Sequence, residues 1–415
     1  MTWFVFYLSL STALASLAAS LVFAGMFWNT RRPKNVDLSF VPSVCVIVSV
    51  RGSDPFLLQT LQGLIRQDYS NFRVVVVVDH HLDPSWEVVR RFCDSQDDHR
   101  LLQLDELRDH SGQRGLKCSA LIQAVQSTEA EIVMTIDSDA IPDSQWIRNQ
   151  VQPLQDPAVG ATTGNQWFEP SGYRLGTWIR SVWHAGAIVP TTVLGNPWAG
   201  AFAMRRTDLA ESGLMREWES SIIDDGPVRQ CLHRLGKRLV VVPENISLNR
   251  EDCSSRFSLN YVARMLTWSR MFESTFWITV LHMVVLIGVH ILAGALLVNE
   301  FLGSWDAKAQ PRWLPAISLC GLLAAQWLGY FIVRATVMSH HSVSTGPGDW
   351  LLRGLMVFLT LPLTLFSYAQ GAIRAIFTTE IVWRQIKYRL KSGGKVEMGQ
   401  YRPFCHDNTK DLESV

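Results

Sequence analysis

Asp137 and Asp139 are separated by one residue and follow an apolar run in the stretch EIVMTIDSDA. A buried strand that stops at such a pair leaves both carboxylates on the turn beyond it. There they offer hard oxygen ligands to Mn2+ or Mg2+, and the ion's open positions take diphosphate oxygens. Taken alone, the pattern equally fits a turn in which Asp and Ser bond their own backbone, so its neighbours must decide. The first is Asp79, which ends a second β-branched run in VVVVVDHHLDP. An acid at that position supplies acceptors to a nucleoside, although a turn acid at a strand end is the plainer alternative. His80 and His81 come next and are read as structural or surface groups, because adjacent histidines in a loop seldom converge on one ion.

A third acidic point is Asp224-Asp225 in ESSIIDDGPVRQCLHRLG. Pro227 suits the first turn of a helix, which places both acids at or before a positive N-terminal end. Ordinary capping explains them. The chemical alternative makes Asp225 a general base, which must lie within hydrogen-bond reach of the proton it takes. Further on, RMLTW carries Arg264 and Trp268. A guanidinium is always charged and grips phosphate oxygens through two parallel bonds. Trp268 either walls a pocket or anchors at a bilayer interface.

These points need a scaffold that brings strand ends together. From Val41 to about Val242, short apolar runs (SVCVIVSV, RVVVVVD, EIVMTID) alternate with amphipathic stretches (FLLQTLQGLIRQ, SWEVVRRFC, LKCSALIQAVQS). Continuous apolar strands separated by helices predict a mostly parallel sheet covered on both faces, an α/β fold. In such sheets ligands bind beyond the carboxyl ends of the strands, where Asp79 and Asp137 fall.

The 415 residues have a mean hydropathy of +0.10, an average over unlike segments. Residues 1–30 carry no charged side chain and exceed the roughly 20 apolar residues of a spanning helix. A cleaved signal peptide is the alternative, but the basic n-region is missing and the apolar run is too long. Arg31, Arg32 and Lys34 follow at once, and the positive-inside rule holds that flank in the cytosol. Residues 40–270 are then a cytosolic domain. Uncharged runs recur at 274–299, 313–333 and 354–373, within a membrane region at 274–374. The first two are long enough to span. The third contains Pro362, Ser367 and Gln370 and is bracketed by Arg353 and Arg374. A third crossing would export the basic tail, 375–415, so an interfacial or re-entrant segment is expected there. The final residues, from Gly399, look loosely structured.

Thirty-eight basic side chains against 37 acidic ones give a net charge of +1, which argues against a nucleic-acid partner. Seven scattered cysteines without a CxxC pair indicate neither a zinc site nor a disulfide framework. His282 and His290 are the titratable groups that a transporter reading would have to use in the apolar runs, and they are read as helix-packing residues.

The order Asp79, Asp137-Ser138-Asp139, Asp224-Asp225, Arg-x-x-x-Trp and then membrane helices resembles the family-2 glycosyltransferases with a GT-A fold. Within them the chain is most similar to the ceramide glucosyltransferases, through VDHHLDP, GLKCSALI, DDGPVRQCL and the tail IVWRQIKYRLKSGG. That resemblance implies a metal-dependent, inverting transfer of glucose or another hexose from a UDP-sugar to a lipid hydroxyl, with ceramide as acceptor. It implies that Asp79 contacts the uridine, Asp137 the nucleotide and Asp139 the Mn2+ or Mg2+ ion. It makes Asp225 the base, Asp224 a pocket acid and Lys117 a donor-side lysine. Arg264 and Trp268 fill the ends of the family's (R/Q)xxRW motif. Thr267 stands where that motif has its second arginine, and Asp224 where the family has Glu. The complete motif is typical of polysaccharide synthases, so its loss argues against a processive enzyme. A polysaccharide or other-lipid transferase remains the alternative within the family, and a catalytically silent membrane scaffold the alternative outside it.

Overall fold

Valine and isoleucine crowd the runs VCVIVSV and FRVVVVV, and β-branched side chains pack well on a pleated surface. The computed structural model, which describes residues 1–29, 39–96, 102–302, 313–341 and 347–405, turns them into β1 (Val44–Val50) and β2 (Phe72–Val78). They lie in a seven-stranded sheet with β3 (Leu102–Glu106), β4 (Ile132–Ile136), β5 (Val159–Phe168), β6 (Ala201–Arg205) and β7 (Arg238–Asn249). The strand order is β3-β2-β1-β4-β6-β5-β7. β1 runs parallel to β2 and β4, β2 to β3 and β5 to β7, while β6 is antiparallel to both its neighbours. The α/β reading holds, with β6 as the reversal that makes the sheet mostly rather than wholly parallel.

Successive residues of β1 and β2 are buried whichever way they point, as a sheet covered on both faces requires. Helices are numbered along the chain. Around the sheet lie α2 (Leu57–Ile65), α3 (Pro84–Asp94), α4 (Leu116–Gln126), α5 (Trp146–Val151), α7 (Arg206–Ser212), α8 (Leu214–Trp218) and α9 (Val228–Arg234). Asp83 caps α3 by accepting from the Ser85 amide, and Pro84 fills the first position. Val46, Val48, Leu61, Val76 and Met134 are among the residues that close the core.

The chain divides into two units. The sheet unit includes the C-terminal segment, where β8 (Glu380–Trp383), β9 (Ile386–Leu390) and β10 (Val396–Met398) form an antiparallel sheet. The expectation of a loosely structured end fails for residues 399–405, because Phe404 is buried and the Tyr401 hydroxyl is bonded to Asp79.

The other unit is helical: α1 (Thr2–Asn29), α6 (Leu175–Val193), α10 (Ser255–Phe272), α11 (Phe276–Leu302), α12 (Trp313–Met338) and α13 (Pro347–Phe377). Four of these, α1 and α11 to α13, are long and apolar enough to cross a membrane. α1 packs among them, with Val5 clustered on Ala293 and Leu296, and with Ser20 Oγ 3.1 Å from where a Cβ on Gly329 would sit. Small residues at such crossings let helices approach closely. The third uncharged run, 354–373, lies inside the continuous helix α13. Arg31, Arg32 and Lys34, which carried the cytosolic assignment, lie outside the described residues.

Candidate active site

β4 stops at Ile136, so Asp137, Ser138 and Asp139 form the turn at its carboxyl end. Lys117, on the first turn of α4, reaches this turn: its Nζ donates to Asp137 Oδ1 at 2.6 Å and lies 3.2 Å from Asp224 Oδ2. Gly115 makes that reach possible. A Cβ there would lie 2.3 Å from the Ile222 carbonyl oxygen, and the Gly115 amide donates to Ser221 O at 2.8 Å. The bare backbone therefore seats the start of α4 against the loop that carries Asp224 and Asp225.

Pro227 caps α9, so both acids precede that helix as its sequence predicts. Asp225 Oδ2 accepts from the Ala199 amide at 3.3 Å. Asp139 Oδ2 accepts from Asn249 Nδ2 at 3.1 Å and from Gln166 Nε2 at 3.5 Å, donors supplied by β7 and β5. The charges respond to one another. Burial alone would lower the Lys117 pKa, but Asp137 and Asp224 reverse this and hold the ammonium charged. Burial raises Asp224, opposed by Lys117. Burial and then the neighbouring Asp224 charge push Asp225 up from 3.8 to about 7. A carboxyl tuned this far toward neutrality suits proton transfer.

Asp137, Asp224 and Asp225 all act on one lysine, Lys117, and Asp139 lies on the same turn as Asp137. A donor set of hard carboxylate oxygens of this kind fits a divalent cation such as Mn2+ or Mg2+. Asp54 is close enough to feel Asp137: burial and then that neighbouring charge raise its pKa, while Arg384, 3.7 Å away, opposes this.

The β2 end is built differently. Asp79 is 3% exposed, and its Oδ2 takes an ion pair from Arg51 and a hydrogen bond from the Tyr401 hydroxyl at 3.1 Å. His110 Nε2 bonds the Asp79 carbonyl oxygen at 3.1 Å. Asp79 Oδ1 is buried without a hydrogen-bond partner among the described residues. His81 pairs through Nδ1 with Glu106 at 2.8 Å and stacks on His80; ligand atoms of all three residues lie within 4.8 Å of one another, so the adjacent histidines do converge, against the expectation from their spacing.

The sheet unit thus brings together Asp79, Lys117, Asp137, Asp139, Asp224 and Asp225. Arg264 and Trp268 lie on α10 of the helical unit, with the Arg264 guanidinium 5.9 Å over the Tyr261 ring. Thr267 is buried and turns its hydroxyl back to Ala263 O at 2.8 Å, while Arg270 bonds the Ile376 carbonyl. Sequence reasoning missed Arg51, His110, Gln166, Asn249 and Tyr401. Arg51 directly follows β1 at the same sheet edge and was findable by the logic that found Asp79. Tyr401 carries no local signal.

Residues 8–396 match the sequence profile described as glycosyl transferase family 21. The N-acetylglucosaminyltransferase of Rhizobium leguminosarum bv. viciae is 29% identical over 137 residues, covering 33% of this chain and 31% of the relative. The beta-monoglucosyldiacylglycerol synthase of Nostoc sp. is 25% identical over 162 residues, covering 38% and 32%. The chain thus spans about a third of the length of these relatives. Among solved structures, the mannosyltransferase PcManGT from Pyrobaculum calidifontis, in complex with GDP-Man and Mn2+, aligns over 90% of this chain and 97% of its own. Its TM-score is 0.49 at 20% identity.

Proposed function

The chain belongs to glycosyl transferase family 21, and from that premise we propose that it transfers glucose, or another hexose, from a UDP-sugar to a lipid hydroxyl, with ceramide as acceptor. The observation that carries this is the acid cluster at the β4 edge, in which Asp225 is raised to about 7 beside acids able to hold a metal. In the proposed reaction the acceptor oxygen bonds to the anomeric carbon as the bond from that carbon to the diphosphate oxygen breaks. UDP departs, the hydroxyl proton passes to Asp225, and attack opposite the leaving group inverts the centre.

Asp139, with Asp137 beside it, would hold the Mn2+ or Mg2+ ion. When bound, that ion supplies positive charge to the departing diphosphate. Lys117 keeps its charge between Asp137 and Asp224 and so orients both acids. Asp79 receives the uracil base. Arg264 and Trp268 keep the diphosphate and acceptor roles that the resemblance implies.

The connectivity supports a membrane arrangement as well. The sheet unit contains chain from before α11 and from after α13. A unit folded around one core stays on one side of a bilayer, which favours an even number of crossings between residues 250 and 377. α11 exposes apolar residues such as Ile278, Leu281, Val284 and Ile291 along its length. α13 is the segment with Pro362 inside it, buried Thr360, Thr364 and Ser367 on one side, and exposed Leu355, Leu359, Leu363 and Phe366 on the other. We assign α11 and α12 as the crossing pair and α13 as interfacial or re-entrant, with sheet domain and tail in the cytosol. Protease protection in sealed vesicles tests this: tags in the tail and in the sheet domain are expected to be cut together, and protection of one alone contradicts it.

To test the chemistry, Asp225→Asn is assayed with UDP-glucose and ceramide while UDP binding is followed separately. Lost transfer with retained UDP binding is expected, and full activity would overturn the assignment. Transfer to a soluble polymer instead of lipid would favour the polysaccharide alternative.

A further inference from the structure

The C-terminal strap passes over Asp79, the acid proposed to receive the uracil. At the end of β10 the Met398 amide donates to Gly112 O at 2.6 Å, and just beyond it the Gly399 amide donates to Lys387 O at 2.7 Å. Arg51 then holds the strap through the Arg402 carbonyl at 2.8 Å. Gln385 brackets Cys405, donating to its carbonyl at 3.0 Å and accepting from its amide at 3.4 Å. Phe404 packs where only a glycine leaves room: a Cβ on Gly52, whose φ is +78°, would lie 2.7 Å from the Phe404 ring. The strap is a built feature held by a handful of bonds and one buried ring.

Tyr401 sits at its centre. Its ring lies 3.9 Å from the His110 imidazole, tilted by 37°, with the Arg51 guanidinium 5.7 Å away over the same ring. Its hydroxyl donates to Asp79 Oδ2 at 3.1 Å. A flat ring set against an imidazole, facing a cation and presenting one donor to a buried carboxylate, makes the contacts that a pyrimidine base would make here. A uracil offers one such donor, its N3–H, and two aromatic faces.

Asp79 Oδ1 completes the picture. It is closed off from solvent, faces His110 Nε2 at 3.7 Å and has no hydrogen-bond partner among the described residues. A buried carboxylate oxygen without a hydrogen bond is costly, and Tyr401 and His110 already hold the Asp79 carboxylate, one at each oxygen. Resting on the reading that Asp79 receives the donor base, we propose that Tyr401 is a self-ligand. It occupies the base subsite, and the strap must release it before a UDP-sugar binds, so residues 399–405 hold the enzyme in an autoinhibited state.

A subsite filled part of the time weakens apparent affinity by the fraction of molecules that are competent. In the full-length protein in detergent with Mn2+, Tyr401→Ala is therefore expected to lower the UDP dissociation constant by roughly tenfold, and Tyr401→Phe by about threefold. The milder Phe variant reads the effect if the Ala variant does not fold. An unchanged or higher dissociation constant overturns the proposal, because Tyr401 would then be a bystander or a wall of the pocket. Asp79→Asn separates the two levels of inference. If that change leaves UDP affinity intact, the base assignment fails and the strap proposal with it. If it abolishes binding while Tyr401→Phe tightens nothing, the strap proposal alone fails.

Discussion

Two strand ends on either side of β1 in one sheet meet different electrostatic conditions. Past β4, Asp137 and Asp224 share Lys117, and Asp139 and Asp225 add further negative charge. Past β2, Asp79 is the acid among donors, with Arg51, Tyr401 and His110 all directed at it. The first edge gathers carboxylates around one lysine, which suits a divalent cation. The second pairs its acid with Arg51 and sets His110 3.7 Å from the oxygen that lacks a hydrogen bond, which suits a neutral ring carrying a donor. The contrast teaches that position at a strand end makes an acid available, and that its neighbours decide whether it serves a metal, a proton or a base.

The strongest way to break that contrast is at Asp225. Its replacement by Asn is expected to reduce kcat by about 10²- to 10⁴-fold, the usual worth of a positioned general base, with UDP affinity kept within a few-fold. Next is charge balance. Lys117→Met leaves the buried Asp224 and the half-buried Asp137 without their shared cation, and a loss of about 3 kcal/mol in unfolding free energy is expected. Denaturation in the absence of divalent ions checks it, and wild-type stability would show that the β4 edge needs no cation.

The metal assignment predicts a shift of similar size. Mn2+ at about a hundred times its dissociation constant is expected to stabilise the wild type by roughly 2.7 kcal/mol. The Asp139→Asn variant should lose most of that gain in a thermal melt, and an equal gain in both would remove Asp139 from the metal site.

The pH dependence sharpens the comparison further. With Asp225 at about 7 in the folded chain against 3.8 unfolded, the folded state retains a proton that the unfolded state loses. Without metal, stability should therefore fall as pH rises from about 4 to about 7 and then level off. Activity should move the other way, rising through neutrality as Asp225 becomes able to accept a proton. Saturating Mn2+ should move that activity limb to lower pH. The smallest effect belongs to the exposed pair at the β2 end: His81→Ala removes a contact with Glu106 worth no more than about 1 kcal/mol, and UDP affinity should stay within twofold by titration calorimetry.

Much of this was legible from local pattern. The runs before Asp79 and Asp137 are so rich in valine and isoleucine that strand and strand end are both readable, and Pro227 marks the start of α9. Metal-type spacing at Asp137 and Asp139 is a local property too. The partners were not readable. Gln166 and Asn249 hold Asp139 from β5 and β7, strands whose order in the sheet comes from long-range pairing. The C-terminal hairpin was hidden for a specific reason. Its two-residue turn places Arg384 and Gln385 at positive φ, 46° and 67°, where Asn-Gly or a similar pair is the usual signal. Without that signal β8 and β9 read only as a basic tail. Tyr401 was invisible because its significance comes from a contact with Asp79, more than 300 residues earlier.

The proposed reaction is tested most directly by incubating the membrane-reconstituted protein with Mn2+, a panel of labelled UDP-sugars and ceramide, then identifying the lipid product by mass. Hexosylceramide formed from UDP-glucose by the wild type, and lost in Asp225→Asn, is the expected result. Label found only in polymer, or equal lipid transfer by the Asp225→Asn variant, would contradict it.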